Sequence, residues 1–181
     1  MNRPKKWKLI RSEIGPEIPL FRVRYDYMQN PRTEQTFQRL VLEAPDWVNV
    51  TPIRPDGKIL VVRQFRFGIQ QITTEIPAGI IDPGEDSFAA AQRELREETG
   101  HTTDDWTYLG AVETNPAYHN NLCHHWLAKN VQPTHPIDLG EGEDIELDFL
   151  TRDEIKAEIR AGTLRHSLAH SALARVFPLW Q

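Results

Sequence analysis

Glu94, Glu97 and Glu98 stand at i, i+3 and i+4 in the run Arg93-Glu94-Leu95-Arg96-Glu97-Glu98-Thr99-Gly100, with Glu85 a short way upstream. On a helix this spacing brings three carboxylates to one face. Acids packed so closely raise one another's pKa values and destabilise the chain unless a cation sits among them. Hard oxygen ligands suit Mg²⁺ or Mn²⁺. Magnesium in particular keeps several waters and bridges one or two carboxylates to substrate phosphates, so the chemistry indicated is metal-assisted reaction at phosphorus. The ordinary alternative is a solvated acidic helix face carrying pairs such as Arg93 with Glu97, and for an isolated E-x-x-E-E it would be preferred.

The neighbouring residues supply the helix that this geometry needs. Pro83-Gly84 makes a turn, Asp86 or Ser87 can accept from the first free N–H groups, and Gly100 is a left-handed stop. A helix is expected from about Ser87 to Thr99, with Phe88 and Leu95 roughly 120° round the cylinder from the acids and able to face a core.

The wider spacing decides between the two explanations. Gly79, five residues, Glu85, seven residues, then Arg93-Glu94-Leu95-x-Glu97-Glu98-x-Gly100 resembles the Nudix box, G-x5-E-x7-R-E-U-x-E-E-x-G-U with U a bulky apolar residue. All seven fixed positions and the first U match, which at average residue usage has a chance probability on the order of 10⁻⁷. One position departs: His101 stands where the final apolar residue belongs, a matter of local packing that leaves the acids untouched.

The resemblance implies roles for further residues. Val62-Arg63-Gln64-Phe65-Arg66 and Glu75-Ile76-Pro77-Ala78-Gly79 are similar to the segments preceding the box in ADP-sugar hydrolases. An arginine at a strand end can also bind a diphosphate bidentately on physical grounds alone, so Arg63, Arg66 and Glu75 are substrate-binding candidates, with surface solvation as the alternative for the arginines. In the family the carbonyl at the Ala78 position serves as a metal ligand beside Glu94, Glu97 and Glu98, and Arg93 orients the box glutamates. Pro116, about sixteen residues beyond the box, fits the family's proline for ADP-ribose and related sugar nucleotides, and Tyr118 and Asn120 belong to a loop expected near the sugar. Asp138 to Asp148 reads DLGEGEDIELD, which resembles the acidic loop of ADP-ribose pyrophosphatases, with Glu141 expected as the base and Glu143 as a metal ligand. A solvated charge run is the usual explanation for such a segment.

His119, His124 and His125 invite a zinc reading, but His124 and His125 are adjacent in an expected strand, Leu122 to Lys129, and point to opposite faces. Cys123 supplies no partner at zinc spacing, and one of the histidines is expected in the core.

The remaining elements are strands at Trp7 to Ile14 and Leu20 to Met28, separated by a Gly15-Pro16 break. Phe37 to Glu43 and Val48 to Arg54 are expected to open the core sheet, followed by an Arg54-Pro55-Asp56-Gly57-Lys58 hairpin into Ile59 to Gln64. Trp106 to Thr114 and Ile145 to Leu150 are strands, Thr151 caps a helix to Ala161, and Ser167 to Val176 is a final helix.

With 181 residues the chain suits one domain with a real core, and a net charge of −5 argues against a nucleic-acid surface. The lone Cys123 excludes an intrachain disulfide, and the longest aliphatic run, Ile59 to Val62, is too short to span a bilayer. The expectation is an α/β protein with the Nudix α/β/α sandwich, a mixed β-sheet and an additional N-terminal antiparallel strand pair. Residues 1–35 would form a dimerisation arm whose aromatic content includes Trp7, Phe21 and Tyr25, and residues 36–181 the hydrolase domain. The resemblance implies a homodimeric, Mg²⁺-dependent pyrophosphatase of nucleoside diphosphate sugars such as ADP-ribose; charge and hydropathy lead to the expectation of a cytoplasmic protein with no nucleic-acid or membrane partner. Hydrolysis of nucleoside triphosphates or dinucleoside polyphosphates is the alternative within enzymes, and a silent ADP-ribose sensor the alternative outside them.

Overall fold

A computed structural model describes residues 3–180 and divides the chain into two compact units, one holding the residues up to Pro45 with Glu113–Leu122, the other Asp46–Val112 and the chain from Cys123 on. In chain order the strands are β1 (Lys8–Ile18), β2 (Phe21–Gln29), β3 (Thr36–Glu43), β4 (Trp47–Ile53), β5 (Ile59–Arg66), β6 (Gln71–Glu75) and β7 (Ala78–Ile80). Helix α1 (Ser87–Thr99) follows, then β8 (His101–Thr102), β9 (Asp105–Glu113), β10 (Leu122–Lys129), β11 (Gln132–Pro133), β12 (Ile145–Leu150), α2 (Arg152–Ala161) and α3 (Ser167–Ala174).

The first unit is an antiparallel sheet in the order β1-β2-β3. The N-terminal strand pair is present, with two corrections to its expected detail. Gly15-Pro16 lies inside β1 as a register irregularity, and the reversal falls at Pro19-Leu20, where Leu20 has φ 71°. Gly15 packs so closely on Val23 and Tyr25 that a Cβ there would force them to shift, which explains the glycine better than a turn does. The second correction concerns β3, expected to open the core sheet: it pairs with β2 from Gln29↔Thr36 to Arg22↔Glu43. Its cause is local. Asn30 closes a short loop by accepting from Glu34 N–H and, through Oδ1, from Arg32 N–H, and Arg22 and Arg24 both reach Glu43 across the pair. Trp7, Phe21 and Tyr25 are half-buried; the exposed large apolar residues of β1, β2, β3 and the turn at Leu20 are the aliphatics Leu9, Ile10, Ile14, Ile18, Leu20 and Leu40.

The second unit is built on a mixed sheet in the order β12-β5-β4-β10-β9, with β6 on β5 and β7 on β4; β4 and β10 are parallel. Arg54-Pro55-Asp56-Gly57-Lys58 forms the expected hairpin, closed by Arg54 N–H to Lys58 O at 2.9 Å, with Gly57 at φ 82°. On one side of the sheet Ile59, Val61, Ile76 and Leu150 pack with Ile155, Leu164, Leu173 and Phe177 of α2, α3 and the chain after them. On the other, Val50, Ala128 and Val131 pack with Ala91 and Leu95 of α1. This three-layer α/β/α arrangement is the expected sandwich. A fully buried leucine such as Leu95 contributes about 2–5 kcal/mol against alanine, so α1 is held by its apolar stripe and its acids are free to face elsewhere.

Both ends of α1 are specified locally. Asp86 accepts from Phe88 N–H at 2.9 Å and Ala89 N–H at 2.8 Å, and Gly100 adopts the left-handed conformation at φ 70°. Helix α2 has the reciprocal capping box between Thr151 and Glu154. His101 fills the apolar slot after the box: it is buried, with Nδ1 2.7 Å from Thr99 O and its ring beside Phe149.

Candidate active site

Helix α1 presents Glu94, Glu97 and Glu98 beside the β7 backbone. Glu94 and Glu98 are buried and Glu97 is half-buried. Arg93 is their hub: Nε and Nη2 donate to the two oxygens of Glu85 at 3.1 and 2.9 Å, Nη1 donates to Glu94 at 2.7 Å and to Glu97 at 3.3 Å, and Nη2 also reaches the Ile80 carbonyl at 2.9 Å. The planar guanidinium thus joins α1 to the turn that precedes it, which a lysine's point charge would not do. Glu98 Oε2 accepts from Ala78 N–H at 3.1 Å. Gly79 passes directly beneath Glu94, where a Cβ would overlap the carboxylate and have to displace it.

Burial raises the pKa of Glu94, with Arg93 pulling it back and Glu97 and Glu143 adding to the rise. Glu98 is pushed well above the usual carboxylate range by burial, then by the neighbouring Glu94, with the Ala78 N–H opposing and the charge of Glu143 adding. No arginine or lysine donates a hydrogen bond to Glu98 among the described residues. Nor do three or more His, Cys, Asp or Glu side chains there form a group able to hold a metal by themselves. The donor chemistry nevertheless fits a hard divalent cation. Two buried acids and a half-buried third offer only oxygen, in an incomplete set, as suits an ion that keeps water. Binding such an ion would also relieve the buried negative charge.

Beyond the box, the expected site residues are distributed unevenly. Arg66 forks onto Glu75 through Nε and Nη2, both at 2.7 Å, and its charge also acts on Glu98. Burial opposes ionisation of Glu75, but the hydrogen bonds, chiefly from Arg66, outweigh it and hold the acid well below the usual range. Arg63, read from the sequence as a diphosphate contact, is committed elsewhere: it donates to Thr74 at 2.6 Å, Asp148 at 2.9 Å and Glu158 at 2.7 Å, tying β5 to β6, β12 and α2. Those bonds form a structural cluster across β5, β6, β12 and α2. Glu141 and Glu143 lie on an exposed loop, where Glu143 accepts from Gly140 N–H at 2.9 Å. Pro116, Tyr118 and Asn120 fold with the N-terminal sheet: Leu42 N–H donates to Tyr118 O at 2.7 Å and Ala44 N–H to Asn120 Oδ1 at 3.3 Å.

The histidine pair divides as its alternation implies. His125 is fully buried beside Ser171 Oγ at 3.2 Å, and burial lowers its pKa to about 4. His124 faces the other way, towards Tyr108 Oη at 2.9 Å and Asp46 at 3.5 Å. Cys123 is buried and its thiol is pushed up to about 12, so it is inert as a nucleophile or ligand. One residue that the sequence did not single out is His166, whose Nδ1 stands 3.3 Å from Glu75 Oε2; no local pattern marks it, because the contact joins positions far apart in the chain.

Fold and site together define a Nudix-type pyrophosphohydrolase, and comparison with known proteins agrees. The NUDIX domain matches residues 44–170, and the chain belongs to that family. It is 33% identical over 118 residues to the ADP-ribose pyrophosphatase of Bacillus subtilis (strain 168), covering 65% of this chain and 64% of that protein. Over 148 residues it is 35% identical to the methanol dehydrogenase activator of Bacillus methanolicus, covering 81% of this chain and 80% of that one. A crystal structure of ADP compounds hydrolase superposes with a TM-score of 0.85 over 97% of this chain and 95% of its own, at 22% identity, a likeness of fold. These relatives agree with the family match, which places the chain among the Nudix enzymes. No helix among the described residues is long and apolar enough to cross a membrane.

Proposed function

We propose that the protein hydrolyses the diphosphate bond of an ADP-sugar, ADP-ribose being the first candidate, to AMP and a sugar phosphate. The observation that carries this reading is the pair of buried carboxylates, Glu94 and Glu98, on the α1 face above the Ala78–Gly79 backbone. Nudix hydrolases generally need divalent metal ions, and the ion proposed here is Mg²⁺, with Mn²⁺ as a substitute, held by Glu94, Glu97, Glu98, Glu143 and the Ala78 carbonyl. When bound, it neutralises the diphosphate and acidifies a water.

The chain's own residues do the rest. Arg93 fixes the carboxylates of Glu94 and Glu97 in place, and Arg66, held along one edge by Glu75, offers the free edge of its guanidinium to the diphosphate. Glu141 takes the proton from the water that attacks phosphorus, and the loop carrying it also brings Glu143 towards Glu94 and Glu98, whose pKa values already respond to its charge. Pro116, Tyr118 and Asn120 belong to the sugar side of the substrate. Exposed aliphatics on the N-terminal sheet support a homodimer, and the reading places the enzyme in the cytoplasm, with neither nucleic acid nor membrane as partner.

The test is a screen of ADP-ribose, ADP-glucose, GDP-mannose and UDP-glucose with and without Mg²⁺, with products resolved by chromatography. AMP and ribose 5-phosphate released only with the metal are the expected products. Turnover confined to nucleoside triphosphates would overturn the substrate assignment.

A second reading is favoured by the relative that covers 81% of the chain, whose name makes it an activator of methanol dehydrogenase. Adding this protein to a methanol dehydrogenase assay separates the two: a rate unchanged by it leaves the sugar-nucleotide reading alone.

A further inference from the structure

His166 occupies the N-cap position of α3, where a short polar side chain would ordinarily accept from the first turn of the helix. It makes no such bond. Its ring turns instead towards Glu75, with Nδ1 3.3 Å from Oε2, within ion-pair range but too poorly aligned for a hydrogen bond, and that nitrogen is buried with no hydrogen-bond partner. Glu75 is itself buried and already carries Arg66 on both oxygens and Thr73 Oγ1 on Oε1 at 2.6 Å. An ionised carboxylate can only accept, so the contact is favourable with the ring's N–H on Nδ1.

We propose that His166 is a positioning residue for the diphosphate-binding arginine. Acting through Glu75, it limits how far the carboxylate can swing and so sets the direction of the Arg66 guanidinium. Arg66 spends Nε and one proton of Nη2 on Glu75, and no hydrogen bond engages Nη1 among the described residues. The Arg66 side chain is half-exposed, and its charge acts on Glu98. A guanidinium pinned along one edge and open along the other is preorganised for a bidentate oxyanion. The histidine thus touches no substrate; it removes a freedom that substrate binding would otherwise have to remove. The inference rests on the reading of Arg66 as the contact to the diphosphate.

The experiment compares His166→Ala, His166→Ser and His166→Asn in the full chain, with Arg66→Ala alongside, by steady-state kinetics on ADP-ribose and by calorimetric binding of α,β-methylene ADP without metal. Serine supplies the missing helix cap but cannot reach Glu75, whereas asparagine places an N–H near the position of Nδ1. Expected are a KM and a Kd about 3- to 10-fold higher in His166→Ala and His166→Ser, kcat within about twofold of the parent, and most of the affinity recovered in His166→Asn. If His166→Ala and His166→Ser bind as the parent does while Arg66→Ala binds more weakly, the positioning role is overturned and the arginine's role stands. If Arg66→Ala itself binds as the parent does, the reading of Arg66 falls and this inference with it.

Discussion

Gly79 lies so close beneath Glu94 that the carboxylate occupies the space a Cβ would need. The strand before the box and the helix of the box are therefore interlocked at one residue pair, and the position of the acid is set by backbone as well as by Arg93. Gly79→Ala should displace Glu94 without unfolding the protein. A misplacement on the order of 1 Å near the chemistry can cost about 10²-fold, and that loss in kcat/KM is expected, with the circular dichroism spectrum unchanged. Full activity in the variant would mean that Glu94 has no fixed position to lose.

Glu98 connects the site to stability. Its folded pKa is raised above the unfolded value, so the metal-free protein gains stability from its protonated form below the unfolded pKa near 4.5. That contribution is lost as pH rises through the folded pKa. Glu98→Gln should accordingly melt higher than the parent at pH 7 in EDTA, while the difference shrinks towards pH 4.5. The same variant should lose turnover by at least about 10³-fold as a metal contact goes. A parent and variant with parallel melting curves across that range would refute the burial argument.

The two loop glutamates should separate by kinetics. Two glycines flank Glu141, so the segment has little intrinsic rigidity and can place a base when substrate and metal are present. Glu141→Gln is expected to lower kcat by about 10²–10⁴ with substrate affinity nearly unchanged. Glu143→Gln should instead raise the Mg²⁺ concentration at half-maximal rate. If both variants keep the parent kcat and metal dependence, the loop is a solvated acidic turn.

Arg63 offers a control. Its bonds to Thr74, Asp148 and Glu158 are structural, so Arg63→Ala should reduce stability by about 2 kcal/mol, the scale of a charged hydrogen-bond cluster, and leave KM within about twofold of the parent. Arg66→Ala should raise KM. A large KM increase in Arg63→Ala alone would reverse the assignment of the two arginines.

The homodimer is tested by sedimentation. Ile14→Asp places a charge on the exposed aliphatic face of β1, and a dimer that becomes a monomer in the variant is the expected result. A parent that sediments as a monomer at micromolar concentration, with full activity, would remove the dimer from the proposal.

Local sequence by itself determined α1 and the face its glutamates share. Cap, stop and apolar stripe all lie within a few residues of the glutamates, and helical spacing alone brings those acids to one face. The same holds for the Arg54–Lys58 hairpin, the Thr151 capping box and the opposite directions of His124 and His125, each fixed by contacts between near neighbours. What the sequence could not determine was the choice among partners distant in the chain. Arg63 and Arg66 differ by three positions and both read as diphosphate ligands, yet one meets Asp148 and Glu158 while the other meets Glu75, because alternate directions along β5 lead to different surroundings. Strand β3 reads as well for a core sheet as for the N-terminal one, since its alternation is the same in either pairing and the closure of the Asn30 loop with the Arg22 and Arg24 pairs to Glu43 decides. His166 gained its contact with Glu75 when α3 packed against the sheet, a pairing across some ninety residues that no periodicity encodes.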